Sequence, residues 1–223
     1  MRLAIFDLDH TLLAGDSDHL WGEFLVELGV VDGPWYRREN QRYYDEYKAG
    51  TLDIHAYCGF VLKPLADHDP AQLLAWRKRF VAEKIEPIVA PGAAALLERH
   101  RAQRDVLLIT TATNRFVTEP IADLLGVPEL IATDPEMSNG RYTGQVAGLP
   151  NFQQGKVERL RLWTAARPPF EHCTVYSDSR NDIPLLMTAD AAIAVDPDEV
   201  LRAEALRRGW PVISLRTLPA GLA

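Results

Sequence analysis

The chain opens MRLAIFDLDHTLLAGDSDHLW (Met1–Trp21), and the reading of DLDHT, Asp7–Thr11, decides the fold. An apolar run, Leu3–Phe6, stops abruptly at Asp7, with Asp9 two residues on. Residues two apart on an extended chain point the same way, so the spacing predicts two neighbouring carboxylates at a strand end. Their repulsion has to be offset, either by a bound divalent cation or by a shared proton.

The 223 residues allow one large domain or a domain with an insert. A 47% hydrophobic and 25% charged composition permits a sizeable core. The net charge of −7 argues against nucleic acid or an anionic membrane as partner. Cys58 and Cys173 match no metal or redox spacing and read as reduced, buried small hydrophobes. The first apolar run is too short for a signal peptide and no stretch is long enough to span a membrane, so the expectation is a cytoplasmic protein, monomer or homodimer.

Outward from DLDHT, β-rich apolar runs alternate with helical patterns. RLAIFD, DVLLITT, CTVYSD, AAIAVD and PVISL read as buried strands, with ELIAT as a sixth. Residues 91–103, 114–126, 152–167, 181–189 and 197–208 read as helices. Such alternation implies an α/β fold: a Rossmann-like parallel sheet with helices on both faces. Between Asp16 and Ile88 there is helical pattern only, which predicts an inserted helical cap (16–88) on an α/β core (1–15 and 89–223). Asn139-Gly140 within EMSNGRYTGQVAG is a strong hairpin signal.

In open parallel sheets function collects beyond the carboxyl ends of the strands. There the sequence sets Asp7, Asp9 and Thr11; then Thr110–Thr113; then Asp178, Asn181 and Asp182, with Lys156 near the start of the preceding helix. Three aspartates around a point favour a hard cation, Mg2+ with retained waters. A metal beside a hydroxyl and a lysine cradles a phosphoryl group. Asp7 can then attack phosphorus and Asp9 move protons. A calcium loop over 7–18 is excluded because Leu12 stands where the turn glycine belongs. QQGKV is no P-loop, since Pro150 replaces the first glycine. The six histidines show no ligand spacing and read as structural or exposed.

DLDHT, LLITTAT, the lysine of QGKVERL and SDSRND occur in the order in which haloacid dehalogenase superfamily phosphatases carry their four motifs. The chain resembles the subgroup with a helical cap after the first motif, to which phosphoserine phosphatases belong. The resemblance implies Asp7 as nucleophile and Asp9 as general acid/base. Asp7 and Asp178 side chains and the Asp9 carbonyl would hold Mg2+, and Thr111, Ala112 and Lys156 would hold phosphate. Thr11, Asn181 and Asp182 would support them, and Thr110 remains an alternative to Thr111. Ser177 departs from the glycine usual before the last aspartate. A phospho-acceptor switch also clusters aspartates, a threonine and a lysine, but its acceptor follows a middle strand and it lacks a cap. A mutase or other phosphotransferase is a further alternative.

The substrate expected is a small phosphorylated metabolite. Asp7–Phe24 and Ile109–Ala122 resemble histidinol-phosphate phosphatases, which implies a phosphorylated amine without a carboxylate. Asp16 or Asp18 would meet the amine, and Trp21, Trp35, Tyr43, Tyr44 and Tyr47 could offer faces to an imidazole. Phosphoserine, or a broad range of small phosphate esters, is the alternative. For phosphoserine Arg42, or its neighbours Arg37 and Arg38, would have to bind the carboxylate, because 51–65 contains no arginine.

Overall fold

The computed structural model describes residues 1–217. The chain runs β1 (Arg2–Phe6), α1 (Ser17–Glu27), α2 (Gly33–Ala49), α3 (Ile54–Asp67), α4 (Pro70–Phe80), α5 (Ala93–Ala102), β2 (Val106–Asn114), α6 (Arg115–Leu124) and β3 (Glu129–Thr133). It continues with β4 (Pro135–Ser138), β5 (Arg141–Val146), α7 (Gln154–Ala165), β6 (His172–Ser177), α8 (Ile183–Leu186), β7 (Ala191–Val195), α9 (Glu199–Arg208) and β8 (Val212–Ile213).

Six strands form one parallel sheet in the order β3-β2-β1-β6-β7-β8. Both faces are covered, and the alternation along β1 shows it. Ala4 and Phe6 belong to one buried cluster, Leu3 and Ile5 to the other. That is why these strands read as continuous apolar runs rather than alternating ones. ELIAT, expected as a sixth strand, is β3 at one edge of the sheet. The carboxyl-terminal strand is shorter than PVISL implied, only Val212–Ile213.

Residues between the sheet's first two strands are helical, and an aspartate opens each of the first four helices, α1–α4. Asp16, Asp32, Asp53 and Asp69 each accept a main-chain N–H of the first turn, satisfying donors that have no partner within the helix. The chain leaves and re-enters the sheet layer at one place, where Ala14 N–H donates to Ile88 O (2.6 Å) and Ala90 N–H to Leu12 O (2.9 Å). Trp21 packs edge-on against Phe80 and Phe116 at 5.2 and 5.7 Å. The helical segment and one face of the sheet thus share a single apolar cluster. Asn139 (φ 51°) and Gly140 (φ 76°) form the β4–β5 hairpin turn, and β5 lies on α3. No described helix is long and apolar enough to cross a membrane. Cys58 is buried, but Cys173 is only half-buried, because it sits early in β6.

Candidate active site

The sheet order explains why distant motifs meet. β1 is central, with β2 on one side and β6 on the other, so the loops after these three strands open at one edge. Asp7 follows Phe6, which is level with Ile109 and Tyr176. Asp7 and Asp9 both keep extended backbone (ψ 159° and 138°), as the DxD spacing predicts, before His10 turns the chain with φ 54°. Arg216 grips that turn by donating to the carbonyls of His10 (2.6 Å) and Leu13 (3.1 Å).

The floor of the site is an ion cluster. Lys156 Nζ donates to Asp7 Oδ1 at 2.8 Å and to Asp182 Oδ2 at 2.7 Å, with all three side chains buried. Lys156 gets this close because residue 155 is glycine: a Cβ there would stand 2.2 Å from the Pro150 carbonyl oxygen. Ser177 Oγ also donates to Asp182 Oδ2 (2.8 Å), and Thr11 Oγ1 to Asp178 Oδ1 (3.1 Å). Burial alone would pull the Lys156 ammonium down, but Asp182 and Asp7 outweigh it and hold it charged. Burial pushes the Asp7 carboxyl up to about 7; Lys156 opposes this, and Asp182 and Asp9 add to it. Asp178 is driven well above the usual carboxylate range by burial, then by Asp7 and Asp182.

The wall facing the helices holds further acids, without a cation. Asp9 Oδ1 accepts from Ser17 N–H (2.6 Å), and Oδ2 accepts from Thr113 Oγ1 (2.8 Å) and Thr111 Oγ1 (3.4 Å). Burial and then Asp16 raise the Asp9 carboxyl. Asp18 Oδ2 accepts from Tyr57 (2.9 Å) and Oδ1 from Asn114 (3.4 Å). Burial, then Asp16, pushes the Asp18 carboxyl up to about 8. Asp16 caps α1 through His19 N–H (2.8 Å). The cavity between floor and wall is lined by Asp7, Thr111, Ala112 and Lys156 on the floor side, and by Asp9, Thr113, Asp16, Asp18, His10, His19 and Tyr43, Tyr44, Tyr47 and Tyr57 on the wall side. It encloses about 40 Å³, room for roughly three waters.

Most expected residues therefore converge, but several do not. Arg42 lies on the solvent side of α2, where Glu39 and Glu46 take its guanidinium (2.7 and 2.6 Å); Arg37 is paired with Glu23. Trp21 is core, and Trp35 is 46% exposed and absent from the cavity lining. His10 and His19, expected to be structural or exposed, line the cavity. Thr110 is turned away and hydrogen-bonded by Asn151 Nδ2 (2.9 Å), whereas Thr111 lines the cavity. Asn181 donates to the Tyr47 carbonyl (3.1 Å), tying the last motif to α2. Ser17, Tyr57 and Asn114 were not foreseen; Thr113 was placed at this sheet edge and Ser177 noted as a departure, both without a role.

Nor do three aspartates surround one point. Among the described residues no three His, Cys, Asp or Glu side chains assemble as a metal site. The reason is that Asp9 turns its carboxylate to Ser17 and Thr113, and Asp182 turns its own to Lys156. Asp7 and Asp178 remain, one buried and one half-buried, and the Asp7 charge raises the affinity of the Asp178 carboxylate for a positive charge. One or two carboxylates with waters suit Mg2+, so the donor set fits that ion.

The sequence profile of haloacid dehalogenase-like hydrolases matches residues 4–187. A histidinol-phosphatase of Neisseria meningitidis serogroup C (strain 8013) is 39% identical over 96% of this chain and 99% of that protein. The crystal structure of a Bordetella pertussis Tohama I protein of unknown function is 44% identical, with TM-score 0.90 over 96% of this chain and 98% of that one. A phosphoserine phosphatase captured as a phospho-aspartyl intermediate analogue shares the fold, with TM-score 0.69, 19% identity and coverage of 97% and 93%. The chain belongs to the haloacid dehalogenase-like hydrolase family, among its phosphatases.

Proposed function

We propose that this protein is a Mg2+-dependent phosphomonoesterase that works through an aspartyl-phosphate on Asp7 and acts on a small phosphorylated amine, histidinol phosphate. Residues 1–15 and 89–217 form the chemical core, the last six residues of the expected 89–223 lying outside the described ones, and 16–88 form the cap that selects the leaving group. Asp7 is the nucleophile: Lys156 holds one carboxylate oxygen, leaving the other to attack phosphorus. Lys156 and Thr111 bind the phosphoryl oxygens, and Asp182, itself held by Ser177, keeps the ammonium in place. Asp9 protonates the departing oxygen and then takes a proton from the attacking water. Mg2+, held by the carboxylates of Asp7 and Asp178 and the main-chain carbonyl of Asp9, would offset the negative charge between enzyme and phosphate.

The observation that carries the substrate class is the charge of the cap side of the cavity. Two acids and four tyrosines line it, and Lys156, at the catalytic end, is the only lysine or arginine among the lining residues. Such a wall suits a cationic, aromatic leaving group and offers a carboxylate no lysine or arginine, which disfavours phosphoserine. The whole-length similarity to a histidinol-phosphatase points the same way. The test is phosphate release with Mg2+ from histidinol phosphate, phosphoserine and p-nitrophenyl phosphate. A preference of about 10^3 in kcat/KM for histidinol phosphate is expected; equal rates on all three would overturn this substrate and leave the chemistry standing.

A further inference from the structure

The two oxygens of Asp9 are held by unlike donors. Oδ1 meets the main-chain N–H of Ser17 at 2.6 Å. An amide N–H only donates, so Oδ1 must keep a lone pair towards it. Oδ2 meets the Thr113 hydroxyl at 2.8 Å and the Thr111 hydroxyl at 3.4 Å. A hydroxyl can donate or turn and accept, so it tolerates Oδ2 with or without a proton. Thr113 is buried, makes no other side-chain hydrogen bond, and sits at the end of β2, where its N–H is pinned by Thr111 Oγ1 (3.2 Å).

We infer that Thr113 is a positioning residue for the proton that Asp9 moves: together with the Ser17 N–H it keeps that proton on Oδ2, the oxygen beside Thr111. The inference rests on Asp9 being the acid/base of the proposed reaction. In the first half-reaction the Oδ2–H bond breaks and the proton passes to the bridging ester oxygen. The ester P–O bond breaks as the bond from the Asp7 carboxylate to phosphorus forms, the alcohol leaves neutral, and Asp9 is left ionised. In the second half water bonds to phosphorus, its proton goes to Oδ2, and the phosphorus bond to Asp7 breaks, releasing hydrogen phosphate and restoring both acids. Without the Thr113 hydroxyl, Oδ2 retains only the long contact to Thr111, and the carboxyl is free to turn the proton away from the ester oxygen.

A purely structural Thr113 would matter equally for every substrate; a positioning one matters only when the leaving group needs a proton. The experiment compares kcat/KM for histidinol phosphate, whose alkoxide must be protonated, with p-nitrophenyl phosphate, whose phenolate leaves unaided. This parameter reports steps through alcohol departure, so hydrolysis of the shared intermediate does not enter. In Thr113→Val we expect a loss of about 10- to 100-fold on the alkyl ester against no more than two- to threefold on the aryl ester. Thr113→Ser should restore the wild-type ratio, and Thr113→Ala repeats the test if valine is not accommodated. An equal fall on both esters, or no fall on either, overturns the inference. Asp9→Asn serves as the control. If it is selective for the alkyl ester while Thr113→Val is not, only the role of Thr113 fails. If Asp9→Asn shows no selectivity, the acid/base reading itself fails.

Discussion

The floor and the wall of the cavity are built from the same residue type, buried or half-buried aspartate, and stabilise it by opposite means. On the floor Lys156 bridges Asp7 and Asp182, and Asp178 accepts from the Thr11 hydroxyl. On the wall Asp9 and Asp18 meet an amide N–H, hydroxyls and a carboxamide, and no cation. A lysine favours the ionised, nucleophilic form of a carboxylate and opposes the effect of burial, whereas neutral donors leave a carboxyl able to carry a proton or to receive a cation from outside. One fold thereby obtains two kinds of acid from one side chain, by placing the single lysine on one side.

The sharpest way to break this contrast is Asp7→Asn, which leaves an amide where the nucleophile stood. Turnover should fall by roughly 10^4-fold or more while circular dichroism stays that of the parent; residual Mg2+-dependent activity near the parent level would sink the mechanism. Lys156→Met comes next, because it strands two buried carboxylates. A loss of about 3–5 kcal/mol in urea-unfolding stability is expected, and a loss below about 1 kcal/mol would mean that protons rather than the lysine neutralise the floor.

The wall and floor can also be separated by pH. Asp7 is pushed up to about 7 and Asp18 to about 8, against an ordinary value of 3.8. Both therefore keep protons in the folded protein that the unfolded chain has already released. Stability is greatest below the unfolded value and falls as pH rises through the folded ones. Metal-free protein should lose several degrees in Tm between about pH 5 and about pH 8, and Mg2+ should recover the floor's share but not the wall's. Asp18→Asn should flatten the remaining slope; an unchanged melting curve with pH would contradict the buried, cation-free wall. The smallest effect belongs to Arg42→Ala. Its salt bridges are on the solvent side of α2, so kcat/KM should stay within about twofold and the urea-unfolding midpoint should stay that of the parent.

The sheet was legible because its strands are buried on both faces and read as uninterrupted apolar runs ended by polar residues. The helical segment was legible from its periodicity, as was the hairpin from Asn139-Gly140. Periodicity was less informative about direction. It could not say that Trp21 and Phe80 fuse the helices with the sheet's apolar cluster, nor that Arg42 rather than Tyr43 would face water. Arg42 and Tyr43 are neighbours on one helix, and only the packing of α2 against α1 and α3 chooses between them.

By itself the sequence determined that carboxylates, threonines and a lysine meet at one sheet edge, because residues that end parallel strands must open on the same side. The tertiary structure alone decided which oxygen each donor reaches. Tyr57 finds Asp18 across 39 positions of chain, Thr113 finds Asp9 across 104 and Lys156 finds Asp7 across 149. Local sequence carries no information about hydrogen-bond direction at such separations; burial does, since every donor and acceptor shut away from water must find its partner among the few groups that folding brings within reach.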